Sequence, residues 1–281
     1  MQQKTIPAKV LSIAGSDPSG GAGIQADIKT VTSLRGYAAA AITALTIQNT
    51  EGVRGVFPVP SATVAEQIAA VMEDVEPQAV KIGMVNDAEI VRVISAAVAR
   101  YAPRHVVFDP VMVSTSGHRL IGENVADEFE RDLIPLASLI TPNMSEAEAL
   151  WRRPIGSVER MGQAATELAR RYGTAVLIKG GHLAGDEMCD ILCDGGEIHR
   201  FTSERIATRN LHGTGCTLSS AIATLLAQGR DMRQAVAEAK RYVSRAIEAG
   251  SRMSIGRGNG PLWHGVGAER CEKDERYLDM A

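Results

Sequence analysis

Short apolar runs alternate with helical stripes along most of the chain. Val10 to Ala14 is an apolar run that ends in a glycine-rich segment, Gly15 to Ala22. Ile24, Ile28 and Val31 then recur at helical spacing, which predicts a helix with all three on one face. Ala38 to Ile47 and Val53 to Val59 read as two further strands. Thr63 and Glu66 have capping-box spacing beside the stripe Val64, Ile68, Val71, Met72 and Val75. Ala79 to Ile82 is a buried strand, Ile90 to Val98 an amphipathic helix, and His105 to Phe108 a strand ending at Asp109. Val125 to Leu133 is predicted helical and Leu139 to Ile140 a short strand. Met161, Ala165 and Leu168 mark a helix ahead of the strand Ala175 to Ile178, which ends at Lys179. Met188 to Phe201 reads as a hairpin turning at Asp194-Gly195-Gly196. Two helices follow, marked by Leu218, Ile222, Leu225 and Leu226 and by Val236, Ala239, Val243 and Ile247. Gly229 to Asp231 supplies a C-terminal and an N-terminal cap between them.

This alternation predicts an α/β fold: a single three-layer α/β/α domain with a mostly parallel central sheet covered on both faces. The length, 281 residues, allows one large or two small domains. No repeat, low-complexity linker or Pro/Gly-rich hinge divides the chain, so one domain, residues 1–269, is expected. Residues 270–281 form a charged tail expected to be disordered.

Composition narrows the function classes. Thirty Lys+Arg against 33 Asp+Glu give a net charge of -3, and no basic block argues for nucleic acid as a partner. No apolar run is long enough to span a membrane, and the polar N-terminus does not resemble a signal peptide. Four cysteines, Cys189, Cys193, Cys216 and Cys271, do not make a disulfide framework in a chain of this length. A reduced, cytoplasmic protein is expected.

In an open α/β sheet, ligands bind at the carboxyl ends of the strands. Gly15-Ser16-Asp17, Gln48-Asn49, Gly83-Met84, Asp109-Pro110, Asn143 to Glu146 and Lys179-Gly180-Gly181 all follow apolar runs at such ends. Turn preference alone accounts for Gly, Asn and Asp at any one of them; their number is what points to a site. The strongest local signal is Asn210-Leu211-His212-Gly213-Thr214-Gly215-Cys216-Thr217, two glycines leading into a patterned helix. Free N–H groups at a helix start make an anion site for a phosphate or a developing oxyanion. Cys216 falls in the first turn, where the helix end lowers a thiol pKa and suits general-base work; its ordinary alternative is a small buried hydrophobe.

Lys179 can neutralise a triphosphate. Asp109 and Glu146 at one rim can hold Mg²⁺ directly or through water, although Asn143 and Glu146 also have capping-box spacing. Asp27 lies on the inward stripe of its helix and needs a partner, from a ligand or the protein. Gly21-Ala22-Gly23-Ile24-Gln25-Ala26 fits G-x-G-x-x-A, but stands too far after the strand for a dinucleotide fingerprint, and no P-loop sequence occurs. Cys189 and Cys193 suit alternate strand positions better than a zinc site.

Several segments together resemble the hydroxymethylpyrimidine/phosphomethylpyrimidine kinases of thiamine biosynthesis, in the ribokinase-like superfamily. They are Ala14-Gly15-Ser16-Asp17-Pro18-Ser19-Gly20-Gly21-Ala22-Gly23-Ile24-Gln25-Ala26-Asp27, Ile42 to Thr50, Lys81-Ile82-Gly83-Met84, Asp109-Pro110-Val111-Met112, Thr141-Pro142-Asn143 to Glu146, Lys179-Gly180-Gly181-His182 and His212 to Thr217. The resemblance runs from about Val10 to Trp263. It implies a ribokinase-like fold and two ATP-dependent phosphorylations. The first acts on 4-amino-5-hydroxymethyl-2-methylpyrimidine and the second on its monophosphate.

By the same resemblance, Gly15, Asp27, Gln48, Met84 and Val111 hold the aminopyrimidine. Lys179 contacts phosphate, together with Thr214 and Gly215. Gly213 to Cys216 form the anion hole, with Cys216 where relatives carry an Asp base. Asp109 and Glu146 lie in the magnesium region, and a homodimer is implied. Pyridoxal or pyridoxine kinase is the rival activity, against which Gln48 and Met84 speak. A non-catalytic sensor of the pyrimidine or ATP is the other reading, and it leaves Lys179, Asp109, Glu146 and the anion hole unexplained.

Overall fold

The computed structural model describes residues 7–112, 122, 125–181 and 187–267. The expected tail, His182 and Cys271 lie outside these.

Nine strands form one sheet in the order β3-β2-β1-β4-β5-β6-β7-β8-β9. They are β1 (Lys9–Ser16), β2 (Tyr37–Asn49), β3 (Gly52–Pro58), β4 (Ala79–Ile82), β5 (His105–Phe108), β6 (Leu139–Ile140), β7 (Ala175–Ile178), β8 (Glu187–Asp194) and β9 (Glu197–Glu204). The run β2-β1-β4-β5-β6-β7 is parallel. β3, β8 and β9 join it antiparallel at the two edges. The expected mostly parallel α/β sheet is therefore present. The hairpin turns where expected, with Gly195 and Gly196 both at positive φ, 55° and 87°, the conformation a two-residue turn between twisted strands requires.

Side chains alternate between the two faces of a strand. Leu11, Ile13, Val80, Ile82, Val106, Phe108, Val176 and Ile178 point to one face. They pack there with α2 (Ser61–Asp74), α3 (Ala88–Tyr101), α5 (Met144–Trp151) and α6 (Val158–Tyr172). Val10, Ala79, Val107, Ala175 and Leu177 point to the other, under α1 (Gly23–Ser33), α7 (Thr214–Ala227) and α8 (Met232–Ser251). Gly229 follows α7 at φ 89°, and Asp231 caps α8 by accepting from the Gln234 N–H at 2.8 Å.

Three local expectations are corrected. α2 starts at Ser61 behind Pro60 with no side-chain cap, so Thr63 is already inside the helix and makes no capping box with Glu66. In α1 the buried stripe runs Ile24, Asp27, Thr30 and Val31, while Ile28 is 38% exposed. Asp27 faces inward, as its place on the stripe predicts, and Thr30 holds the inward position that hydrophobic periodicity assigned to Ile28. Val125 to Leu133 is not one α-helix. A single turn, α4 (Val125–Glu128), widens into a π turn (Phe129–Leu133) and then a 3₁₀ turn, Ile134–Leu136. Pro135 has no N–H to continue the α ladder.

Candidate active site

The alternation that sorts the core also builds the site. Ser12 in β1, Lys81 in β4, Asp109 just past β5 and Lys179 just past β7 all fall on positions facing α1 and α7. Ser12 and Lys81 are register partners on adjacent strands. Four polar groups from four strands thus meet the buried face of two helices.

At the centre is a buried ion pair. Asp27 and Lys81 are both 0% exposed. Lys81 Nζ donates to both Asp27 carboxylate oxygens, at 2.9 and 2.8 Å. The hydroxyls of Ser12 and Ser220 donate to the same carboxylate at 2.6 and 2.7 Å. Burial disfavours the Lys81 charge, but the carboxylate of Asp27, with Cys216 and Asp109 nearby, holds its pKa above the ordinary lysine value. Asp27, expected against the substrate, thus takes its partners from the protein and ties α1, α7, β1 and β4 together.

Lys179 pairs with Asp109 at 2.7 Å, and Thr141 donates to the same Asp109 oxygen at 3.1 Å. Burial works against the Lys179 charge, yet Asp109 and Glu146 beside it raise its pKa. Glu146 completes the expected capping box of α5 with Asn143 and also accepts from the Met112 N–H at 3.3 Å. Burial, opposed by Lys179 and reinforced by Asp109, pushes its carboxyl up to about 7. Among the described residues, no cluster of three or more His, Cys, Asp or Glu is arranged to hold a metal. The donor set is two carboxylates with a lysine between them. That suits an Mg²⁺ carried in on phosphates, which needs only one or two protein carboxylates.

α7 starts directly above this pair. A Cβ on Gly215 would lie 3.3 Å from both Asp109 Oδ2 and Lys179 Nζ. No side chain caps the helix, so the N–H groups of Gly215 and Cys216 project from its first turn. Thr214, expected among the anion-binding groups, turns both its N–H and its hydroxyl onto the Leu211 carbonyl, at 3.2 and 2.7 Å. The N-cap is Gly213 at φ 83°, and a Cβ there would run into the Gly21 carbonyl. The two glycine loops therefore touch backbone to backbone.

Cys216 departs from expectation. Burial, with the nearby carboxylates of Asp27 and Asp109, pushes its thiol up to about 11, against the pull of Lys81 and the Gly23 N–H. The lowering expected from the helix end does not prevail, and the group stands as a thiol.

Irregularities in the strands aim the remaining groups. The β1–β2 register shifts between Ala14 and Ser16, and the β2–β3 register between Ile47 and Gln48. Bulges of this kind re-aim side chains beside functional sites. Gly15 packs against Met84, whose Cε lies 2.5 Å from where a Cβ would stand. The Met84 carbonyl accepts from the Thr43 hydroxyl at 2.7 Å. Val111 follows Asp109 on the same rim. Gly15 and Gln48, at the ends of β1 and β2, and Met84 and Val111, on the loops after β4 and β5, thus all lie on the carboxyl rim.

The residues sequence reasoning passed over are Lys81, Asp17 and His212. Each was visible within a quoted motif but had been given no role. Lys81 interrupts a buried apolar strand, and that was the signal for a buried counter-charge. Asp17 accepts from the N–H and hydroxyl of Ser19, the N–H groups of Gly21 and Ala22, and His212 Nε2 at 2.8 Å. Burial alone would raise its pKa; the bonds from His212, Ser19 and the backbone bring it to about 2. Because the native pKa lies below the usual 3.8, Asp17 stabilises the fold above pH 4, and that contribution is lost as pH falls towards 2. Asp17→Asn is expected to cost about 2 kcal/mol at pH 7. Urea titrations at pH 7 and pH 3 should show a smaller gap between variant and parent at the lower pH.

Cys189 and Cys193 are both buried in β8, as alternate strand positions predict.

Comparison with known proteins gives this site its context. The sequence profile described as phosphomethylpyrimidine kinase matches residues 17–263. The hydroxymethylpyrimidine/phosphomethylpyrimidine kinase of Rhizobium meliloti is 47% identical over 258 residues, 92% of this chain and 97% of that protein. The thiamine biosynthesis bifunctional protein ThiED of Geobacter sulfurreducens is 50% identical over 260 residues, and there the chain spans only 53% of the relative's length. A solved ADP complex of Bacillus subtilis pyridoxal kinase superposes with a TM-score of 0.85 at 33% identity, covering 92% of this chain and 98% of that one. With a matched profile over most of its length and near full-length relatives at this identity, the chain belongs to the phosphomethylpyrimidine kinase family.

Proposed function

We propose that this protein transfers phosphate from ATP to the hydroxymethyl group of 4-amino-5-hydroxymethyl-2-methylpyrimidine, and then to the resulting monophosphate. The observation that carries the reading is a convergence on one rim. The Lys179–Asp109 pair lies beneath the free N–H groups at the start of α7. Gln48 and Gly15, at neighbouring strand ends, and Met84, on the loop after β4, lie on the same rim. Phosphoryl transfer is mostly positioning and charge stabilisation, and these groups supply both.

In this reading Lys179 and the amides of Gly215 and Cys216 hold the transferring phosphate, and Gly213 gives the backbone the approach it needs. Thr214 serves by fixing the loop. Asp109 and Glu146 orient an Mg²⁺ that arrives with the nucleotide. Gln48, Met84, Gly15 and Val111 contact the aminopyrimidine, while Asp27 supports the floor beneath it. Among the described residues, no helix is long and apolar enough to cross a membrane. The reading places the enzyme in the cytoplasm. It is a homodimer in this reading, with exposed Leu45, Ile47 and Phe57 of β2 and β3 as the face a second copy covers.

Steady-state kinetics with the aminopyrimidine and pyridoxal side by side test the substrate. ATP-dependent turnover of the pyrimidine and of its monophosphate is expected, and turnover of pyridoxal alone would refute the reading. A thiol with a pKa about 11 is a poor base at neutral pH, which leaves Cys216 as part of the anion hole. Cys216→Ala keeps the amide and removes the S–H donor beside it, and is accordingly expected to lower kcat about tenfold, the worth of roughly one hydrogen bond from that thiol. Pyrimidine affinity should stay within about threefold, since the interaction strengthens in the transition state. A kcat unchanged within about twofold removes the side chain from the reaction.

A further inference from the structure

The clearest unassigned feature beside the site is a hydrogen-bonding conflict at His212. Two groups approach the same ring nitrogen. Asp17 Oδ2 lies 2.8 Å from His212 Nε2, and the Gln48 amide nitrogen lies 3.1 Å from it. Asp17 is buried and already accepts from Ser19, Gly21 and Ala22, so it is an ionised acceptor with nothing to donate. His212 Nε2 must therefore carry the hydrogen and give it to Asp17. A protonated Nε2 cannot also accept from an amide N–H. With the amide nitrogen on that side, two donors face each other. A half-turn of the carboxamide removes the conflict: Oε1 then shares the Nε2–H with Asp17 Oδ2 in a three-centre bond, and the NH₂ turns to the opposite side.

We propose that the Asp17–His212 pair fixes the polarity of the Gln48 carboxamide, so that Gln48 offers N–H donors to the substrate and selects a ring that accepts there. This deepens the proposed function and rests on it. Gln48 is half-buried at the bulged end of β2, and among the described residues His212 is the side chain within hydrogen-bond distance of its carboxamide. Its outward end is thus left for a ligand. His212 is held independently of Gln48. Its ring packs over Gly21, where a Cβ would meet Cδ2 at 2.5 Å, and its backbone N–H donates to the Gly260 carbonyl at 3.1 Å. A carboxamide without such a partner presents either edge at little cost. With one, a ring nitrogen is favoured over a C–H, because the buried donor is otherwise left unpaired. His212 is a positioning residue in this scheme and touches no reacting atom.

Two measurements decide it. Nitrogen-15 NMR of the ligand-free enzyme reads the His212 tautomer directly: hydrogen on Nε2 is expected, and a neutral ring with hydrogen on Nδ1 overturns the proposal. Calorimetry then compares the aminopyrimidine with two pyridine analogues, each having one ring nitrogen replaced by C–H. The parent enzyme is expected to prefer the pyrimidine over one analogue by about tenfold, the worth of one hydrogen bond to a buried donor. His212→Phe and Gln48→Ala should each reduce that preference to within about twofold, the double variant should do no more, and affinity for a non-hydrolysable ATP analogue should be unchanged. A His212→Phe enzyme that weakens all three ring ligands equally has lost only structure, and the proposal falls. Failure of the parent enzyme to bind the pyrimidine refutes the substrate reading, and a preference that survives His212→Phe refutes the positioning role alone.

Discussion

Lys81→Met is expected to lower the unfolding free energy by about 3–5 kcal/mol, the usual cost of removing one partner from a buried ion pair. The reason lies in what stays behind. Asp27 is fully buried, and without Lys81 only the hydroxyls of Ser12 and Ser220 remain to hold its charge. Methionine fills most of the lysine volume, so the loss reports charge and not a cavity. Lys81→Met combined with Asp27→Asn should recover part of it, because the double variant has no orphaned charge. Urea denaturation of the three variants checks this. A loss below about 1 kcal/mol for Lys81→Met would mean that the pair contributes no more than a surface salt bridge.

Lys179→Met is expected to reduce kcat by about 10²–10³, the range typical for removal of a preorganised charge-stabilising group. Asp109, buried and accepting from Thr141, then stands without its cation beneath the phosphate, and repulsion adds to the lost attraction. Pyrimidine affinity should hold within about threefold, because Gln48, at the end of β2, and Met84, after β4, lie on other segments of the rim. Lys179→Arg should recover little. Gly215 leaves only a narrow space over the lysine ammonium, and a planar guanidinium does not fit where a compact ammonium does. Single-turnover kinetics with saturating ATP would check both variants. A kcat within about tenfold of the parent would remove Lys179 from the phosphate site.

Much of the fold was legible because apolar residues dominate the buried strands. Ala175 to Ile178 carries nothing else, Val10 to Ala14 and Ala79 to Ile82 are interrupted only by Ser12 and Lys81, and the two glycines at 195 and 196 fixed the hairpin. The failures come where polar groups occupy inward positions. Hydrophobicity alone puts Ile28 in the core, whereas Thr30 takes that face by turning its hydroxyl back onto the Ala26 carbonyl, and Asp27 is held there by Lys81, Ser12 and Ser220. Thr63 and Glu66 have the right spacing for a cap, but Pro60 starts the helix earlier. In the site, Lys179, Asp109, Glu146 and the glycines before α7 were found because strand ends and helix starts are marked locally. His212, Asp17 and Lys81 acquire their meaning from pairing, and spacing along one sequence does not reveal pairing across the sheet. The thiol of Cys216 is raised for reasons equally invisible along the chain: burial under the packed layers first, and then the carboxylates of Asp27 on α1 and Asp109 after β5.

Those pairings span long stretches of chain. Asp27 meets Ser220 across 193 positions, Asp17 meets His212 across 195, and Ser33 meets His264 across 231. Contacts of this separation form late, since closing long loops costs entropy before any contact repays it. During synthesis, β1 to β7 emerge with Lys179 and Asp109 already encoded, but the helix that covers them has not yet left the ribosome. The proposed phosphate site therefore cannot be complete before α7 docks, and α7 is also what gives Asp27 the Ser220 hydroxyl. Maturation of the catalytic rim and closure of the second hydrophobic layer are one event, so a nascent or truncated chain lacking α7 has neither.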